Sequence, residues 1–71
     1  MKLAYYRDTD SLYIDLSGRA SADSREIAEG VVLDYDAEGA IVGIDIDNAS
    51  RRVDIDRVVV SGIVSRIDSA D

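Results

Sequence analysis

The 71-residue sequence contains no cysteine, histidine, proline, tryptophan or phenylalanine. Without cysteine there is no disulfide framework, no thiolate nucleophile and no Cys-ligated zinc or iron–sulfur centre. Without histidine the commonest general base and metal ligand is missing. Basic residues are scarce: 8 Lys and Arg stand against 15 Asp and Glu, a net charge of −7. That balance argues against a nucleic-acid partner, because affinity for a phosphate backbone comes from Lys and Arg. Long apolar runs are also absent. The longest, Leu3-Ala4-Tyr5-Tyr6, falls far short of the ~20 residues of a membrane span. The opening Met-Lys-Leu-Ala-Tyr-Tyr-Arg-Asp has one lysine but no apolar core, so no signal peptide is expected, and the expected location is the cytoplasm.

What remains is the composition of a folded chain, 46% hydrophobic and 32% charged. Residues 1–71 are expected to form one domain, with 1–52 as a β-rich body and 53–71 as a C-terminal element. A domain of this size buries only ~60% of the surface its unfolded chain exposes, and disulfides are unavailable to compensate. Association into a homodimer or larger is therefore expected, with a basic protein as a possible further partner.

Strand signals dominate the pattern. Residues 2–6 are aromatic-rich and are followed by the polar cluster Arg7-Asp8-Thr9-Asp10. Residues 11–16 alternate, with Leu12, Ile14 and Leu16 on one face and Tyr13 and Asp15 on the other. These two runs read as a hairpin. Residues 17–24 read as a loop. The stretch 25–35 reads as one strand with a bulge or bend at Gly30, and 36–40 as a turn using Gly39. Residues 41–47 alternate again, and Asn48-Ala49-Ser50 reads as a break or a single helical turn capped by Asn48. Beyond it, Val58, Val59 and Val60 favour a strand over residues 58–61, whereas residues 63–68 fit strand or helix. The fold expected is α+β to mainly β: a small four-stranded antiparallel meander with a C-terminal strand or short helix. Leu12, Ile14, Leu16, Val31, Leu33, Val42, Ile44 and Ile46 would line its apolar face, covered partly by the C-terminal segment and partly by a second copy.

The sharpest local pattern is Asp34-Tyr-Asp36-Ala-Glu38-Gly39-Ala-Ile41-Val-Gly-Ile-Asp45. Acids at positions 1, 3, 5 and 12 with Gly at 6 approximate an EF-hand loop, which makes Asp34, Asp36, Glu38 and Asp45 a candidate divalent-metal set. Strand alternation on both flanks favours the other reading, a solvated acidic hairpin tip. Tyr13, pointing away from the apolar face, is a candidate partner anchor or a cross-strand packing residue. Arg51 and Arg52, with Arg57, form the one basic cluster and are candidate interaction residues that could pair with the acidic hairpins. Close carboxylate pairs are unavoidable among 15 acids in 71 residues, so they are no sign of catalysis. No enzyme and no cofactor are expected.

The order of these motifs resembles a family of small bacterial and archaeal proteins, domain of unknown function 2283. Its opening reads roughly Tyr-Asp-x-x-x-Asp-x-Leu-Tyr-Ile-x-Leu. Asp10, Leu12, Tyr13, Ile14 and Leu16 match that pattern, whereas Tyr6-Arg7 stands where the family has Tyr-Asp. Residues 26–46, followed by Ala49-Ser50, are similar to the family's central signature. The resemblance covers about residues 1–52 and implies a compact β-rich fold with no assigned activity. Because members are often encoded beside small ribonuclease-like toxins, it also implies a non-catalytic interaction module, in one form an antitoxin-like partner whose acidity would suit a basic RNA-binding cleft.

Overall fold

The structure, a computed structural model, describes residues 1–62 and 67–68. Among the described residues there are five strands: β1 (Lys2–Tyr6), β2 (Ser11–Asp15), β3 (Asp23–Ala28), β4 (Val31–Tyr35) and β5 (Ile41–Asp47). A single helical turn, α1 (Ala49–Arg52), follows. The strands form one sheet in the order β1-β2-β5-β4-β3, and every neighbouring pair is antiparallel.

Two expectations are corrected. The stretch read as one strand over 25–35 is two strands. Glu29 and Gly30 reverse the chain between them, with Gly30 at φ +77°, a conformation other residues adopt only under strain. The bulge lies earlier, between Glu26 and Ala28. Nor is the sheet a meander. The β1–β2 hairpin and the β3–β4–β5 meander are joined edge to edge by β2 against β5, so residues 16–22 must run from β2 across the ends of β5 and β4 to the far edge. Three strand spacings amount to about 14 Å, which seven extended residues span easily. This crossover is tacked down where it passes: Leu16 N–H donates to Val42 O (2.9 Å) and Ala22 N–H to Tyr35 O (2.7 Å).

The helical turn after residue 47 agrees with the sequence, but its cap does not. Asn48 (φ 54°) makes no side-chain cap hydrogen bond. Asp10, in the β1–β2 turn, caps α1 instead. Its carbonyl accepts Ala49 N–H (2.9 Å), and its carboxylate accepts Ser50 N–H (3.0 Å) and the Ser50 hydroxyl (2.6 Å). The strand expected over 58–61 is absent. Those residues form no regular element, and Val58 and Val59 are 64% and 68% exposed. The strand-or-helix question over 63–68 falls mainly on residues 63–66, outside the described residues.

Cross-strand register sorts the side chains onto two faces. Leu3, Ile14, Ile44 and Leu33 form one row, and Tyr5, Leu12, Ile46 and Val31 the next. Both rows lie on one face. On the other, Ala4, Tyr13, Asp45 and Val32 form a row beside Lys2, Asp15, Gly43 and Asp34. The apolar face is thus the one expected, widened by Leu3 and Tyr5. It is not sealed. Among the described residues the buried hydrophobic side chains are Val42 and Ala49, and no large side chain is fully buried. A compact monomer of 7.7 kDa is expected to expose about 4,300 Å². This chain exposes 5812 Å², roughly 1,500 Å² more. Its radius of gyration is 13.0 Å, against about 11 Å expected for this length.

Candidate functional site

Two surfaces and two carboxylate anchors account for the candidate residues. The apolar surface draws on all four strands of the two rows above. Its residues on β2, β4 and β5 are half-buried, and Leu3 and Tyr5 on β1 are more than 40% exposed. One sheet layer can give these side chains neighbours along the face but nothing on top of it.

The opposite face is organised by Tyr13. Its phenol reaches diagonally over β5 and donates to Asp34 Oδ2 on β4 (2.7 Å), while the Ser24 hydroxyl on β3 donates to Asp34 Oδ1 (2.6 Å). Gly43 makes this reach possible. A Cβ there would lie 2.7 Å from Tyr13 Cζ and closer still to the hydroxyl, so the ring occupies the space that any other residue would fill. The hydrogen bond to Asp34, helped by burial and by the charges of Asp34, Asp15 and Asp45, pushes the Tyr13 phenol up to about 12. Asp45, beside Tyr13 in register, is raised by burial first and then by the charges of Asp47 and Asp34. Tyr13 does point away from the apolar face, and its hydroxyl is engaged within the sheet.

The acidic loop does not gather its carboxylates. Asp34 is held on the sheet by Tyr13 and Ser24. Asp36 is 6% exposed and turned into the β4–β5 loop, where it accepts Ala40 N–H (2.9 Å), Glu38 N–H (3.0 Å) and the Arg19 guanidinium (3.1 Å). The Ala40 bond is the largest of the effects that hold its carboxyl below the usual range. Glu38 is exposed at the loop tip, and Asp45 lies on the Tyr13 face. Among the described residues no group of three or more His, Cys, Asp or Glu is placed to hold a metal ion. The structure instead gives Asp36 a role the sequence did not suggest: it closes the β4–β5 turn and, through Arg19, pins the crossover.

Asp10 is the second anchor missed in the sequence. Besides capping α1 it accepts the Tyr5 hydroxyl (2.7 Å), so β1 and α1 meet on the same carboxylate. Ser50, then Tyr5, are the bonds that lower its pKa. Arg51 and Arg52 sit on α1, exposed, with the Arg52 guanidinium over Gly30 of the β3–β4 turn. The ion pairs among the described residues are Arg19–Asp36 and Arg25–Asp23, so the basic cluster is not paired with the acidic hairpin. A shallow cleft of about 390 Å³ lies beside Tyr35, Arg25 and Asp36. The Arg25 guanidinium stands 5.8 Å from the Tyr35 ring centre and 3.6 Å from Asp23, so its charge is already engaged. Among the described residues no helix is long and apolar enough to cross a membrane.

No curated protein and no solved structure matches the chain. A family model, protein of unknown function (DUF2283), matches residues 2–50. That span takes in all five strands and ends on Ser50, the residue that Asp10 holds. The match covers well over half of the chain, and the chain therefore belongs to DUF2283.

Proposed function

We propose that this protein is a non-catalytic protein-interaction module that self-associates through the apolar face of its sheet. One observation carries the reading: on the apolar face built from β1, β2, β5 and β4, Leu3 and Tyr5 stand more than 40% exposed, and among the described residues no large hydrophobic side chain is fully buried. Two such faces packed about 10 Å apart would form the interior that one copy lacks. A different protein on the other face would be basic. The carboxylates of Asp15, Asp45 and Asp47 lie there, and the chain carries a net charge of −7. That is the chemistry an antitoxin-like partner would need.

Sedimentation equilibrium and thermal melts of the full chain over a range of concentrations test the reading. The expected result is a dimer or larger species whose melting temperature rises with concentration. A cooperatively folded monomer with a concentration-independent melt at tens of micromolar would overturn it. Affinity capture with the native lysate then reports on a basic partner.

A further inference from the structure

The two edges of the sheet differ. An exposed strand edge offers unpaired N–H and C=O groups to any other strand, and proteins blunt it with charge, bulges or brevity. The β3 edge is blunted twice. Its sequence Asp-Ser-Arg-Glu-Ile-Ala carries three charges, and a bulge between Glu26 and Ala28 breaks its register. The β1 edge has neither device. Lys-Leu-Ala-Tyr-Tyr has one charge, at its first position, and pairs with β2 in unbroken register. Leu3, Tyr5 and Tyr6 on it are 45%, 41% and 56% exposed.

We propose that β1 is the edge on which a second copy docks, pairing antiparallel with its own equivalent to give one continuous ten-stranded sheet. This rests on the self-association reading above and names a second, separate contact. Several observations select a second copy as the occupant. A twofold axis through Ala4 sets Lys2 against Tyr6 of the second copy, Leu3 against Tyr5, and Ala4 against Ala4, so within Lys2–Tyr6 no like charges are directly opposed. Lys2 then lies beside an aromatic ring, and Leu3 forms an apolar cross-strand pair with Tyr5. Full overlap is also the register that keeps faces matched. Leu3 and Tyr5 belong to the apolar face and Lys2, Ala4 and Tyr6 to the other, so a one-residue slip would set apolar against polar faces along the seam. The contact is isologous and closes on itself. Because edge and face are different surfaces, using both gives a tetramer with three mutually perpendicular twofold axes.

The absence of cysteine makes the test clean. An Ala4→Cys chain has its single thiol on the proposed axis, where opposed Cα atoms of an antiparallel pair lie ~4.5–5.5 Å apart, within disulfide range. The expected result is rapid oxidation to a disulfide-linked dimer at low micromolar protein, with Ala28→Cys on the β3 edge much slower. Equal rates for the two, or no cross-link through position 4, would overturn the proposal. A second variant, Ala4→Lys, adds a cation to an acidic face and so suits the single chain, but sets two cations opposite each other on the axis. Edge association should weaken about tenfold or more and return at about 1 M salt. Association identical to that of the native chain would count against β1. If the native chain sediments as a monomer, the self-association reading itself fails. If it associates while both variants behave as controls, only the β1 edge is wrong.

Discussion

Replacing Gly43 with alanine is the most direct probe of how the polar face is built. Alanine is ordinarily the better residue inside a strand, by ~0.5–1 kcal/mol, because glycine loses more backbone freedom on folding. Here the added methyl would stand 2.7 Å from Tyr13 Cζ, and the ring would have to leave. The phenol would then lose its 2.7 Å hydrogen bond to Asp34. A bond to a charged acceptor contributes ~1.5–3 kcal/mol. Setting the alanine gain against that loss leaves a net destabilisation of about 1–2 kcal/mol. With a urea m-value of ~1 kcal/mol/M, the midpoint should fall by ~1–2 M. The decisive measurement is a double-mutant cycle at one protein concentration, with Tyr13→Ala as the second change. Once the ring is gone the methyl meets open space, so Gly43→Ala should turn neutral or stabilising by ~0.5–1 kcal/mol. An equal loss with and without the tyrosine would refute the reasoning, since the penalty would then come from the backbone and not from the ring.

Three further outcomes follow from the titrating groups. Ultraviolet titration of the folded protein should show one tyrosine ionising near 12 and moving down in Asp34→Asn. A raised folded pKa also means stability is lost as pH climbs from about 10 to about 12, where the unfolded chain ionises first. Asp45→Asn should stabilise the fold at pH 7, because burial and the Asp47 and Asp34 charges disfavour the ionised form. The gain should vanish below the ordinary carboxylate range, which chemical denaturation at pH 7 and pH 3 will check. Asp36→Asn should destabilise at neutral pH and flatten the acid limb of the stability curve. Its lowered pKa gives a contribution present above the ordinary carboxylate value and lost as pH falls through the folded one. Arg19→Ala should reproduce part of that effect, since the guanidinium is secondary to the Ala40 amide.

The local features were the legible ones. Alternation at Leu12, Ile14, Val42, Ile44 and Ile46 named the apolar face, and Tyr13 was placed on the other, because a period of two reports the side of a strand without reference to its partner. Gly30 was legible as a backbone anomaly but not as a reversal, since a two-residue turn and a bulge put the same residue in the same kind of apolar run. The pairing of β2 with β5 was not legible. The clue was Gly43, whose missing side chain admits Tyr13, but it means something only once residues 30 apart are neighbours. Asp10 was hidden for the same reason. It sits in a polar turn that explains itself locally, and its bond to Ser50 spans 40 positions. For the candidate metal set, spacing alone suggested convergence, whereas the backbone amides of Glu38 and Ala40 draw Asp36 into the turn and away from Asp34.

The order of strands has a kinetic meaning. Residues 2–15 and 23–47 each close through near neighbours in sequence, so each can zip up quickly without the other. What joins them is the seam of β2 on β5, and it is clasped at one end by Asp10 on Ser50 and at the other by Leu16 on Val42. Bringing these halves together is the entropically expensive event and the natural barrier to folding. A chain caught before that moment would present the borders of β2 and β5 in addition to that of β1, and it is in this half-assembled form that the molecule is most prone to exchange halves with its neighbours.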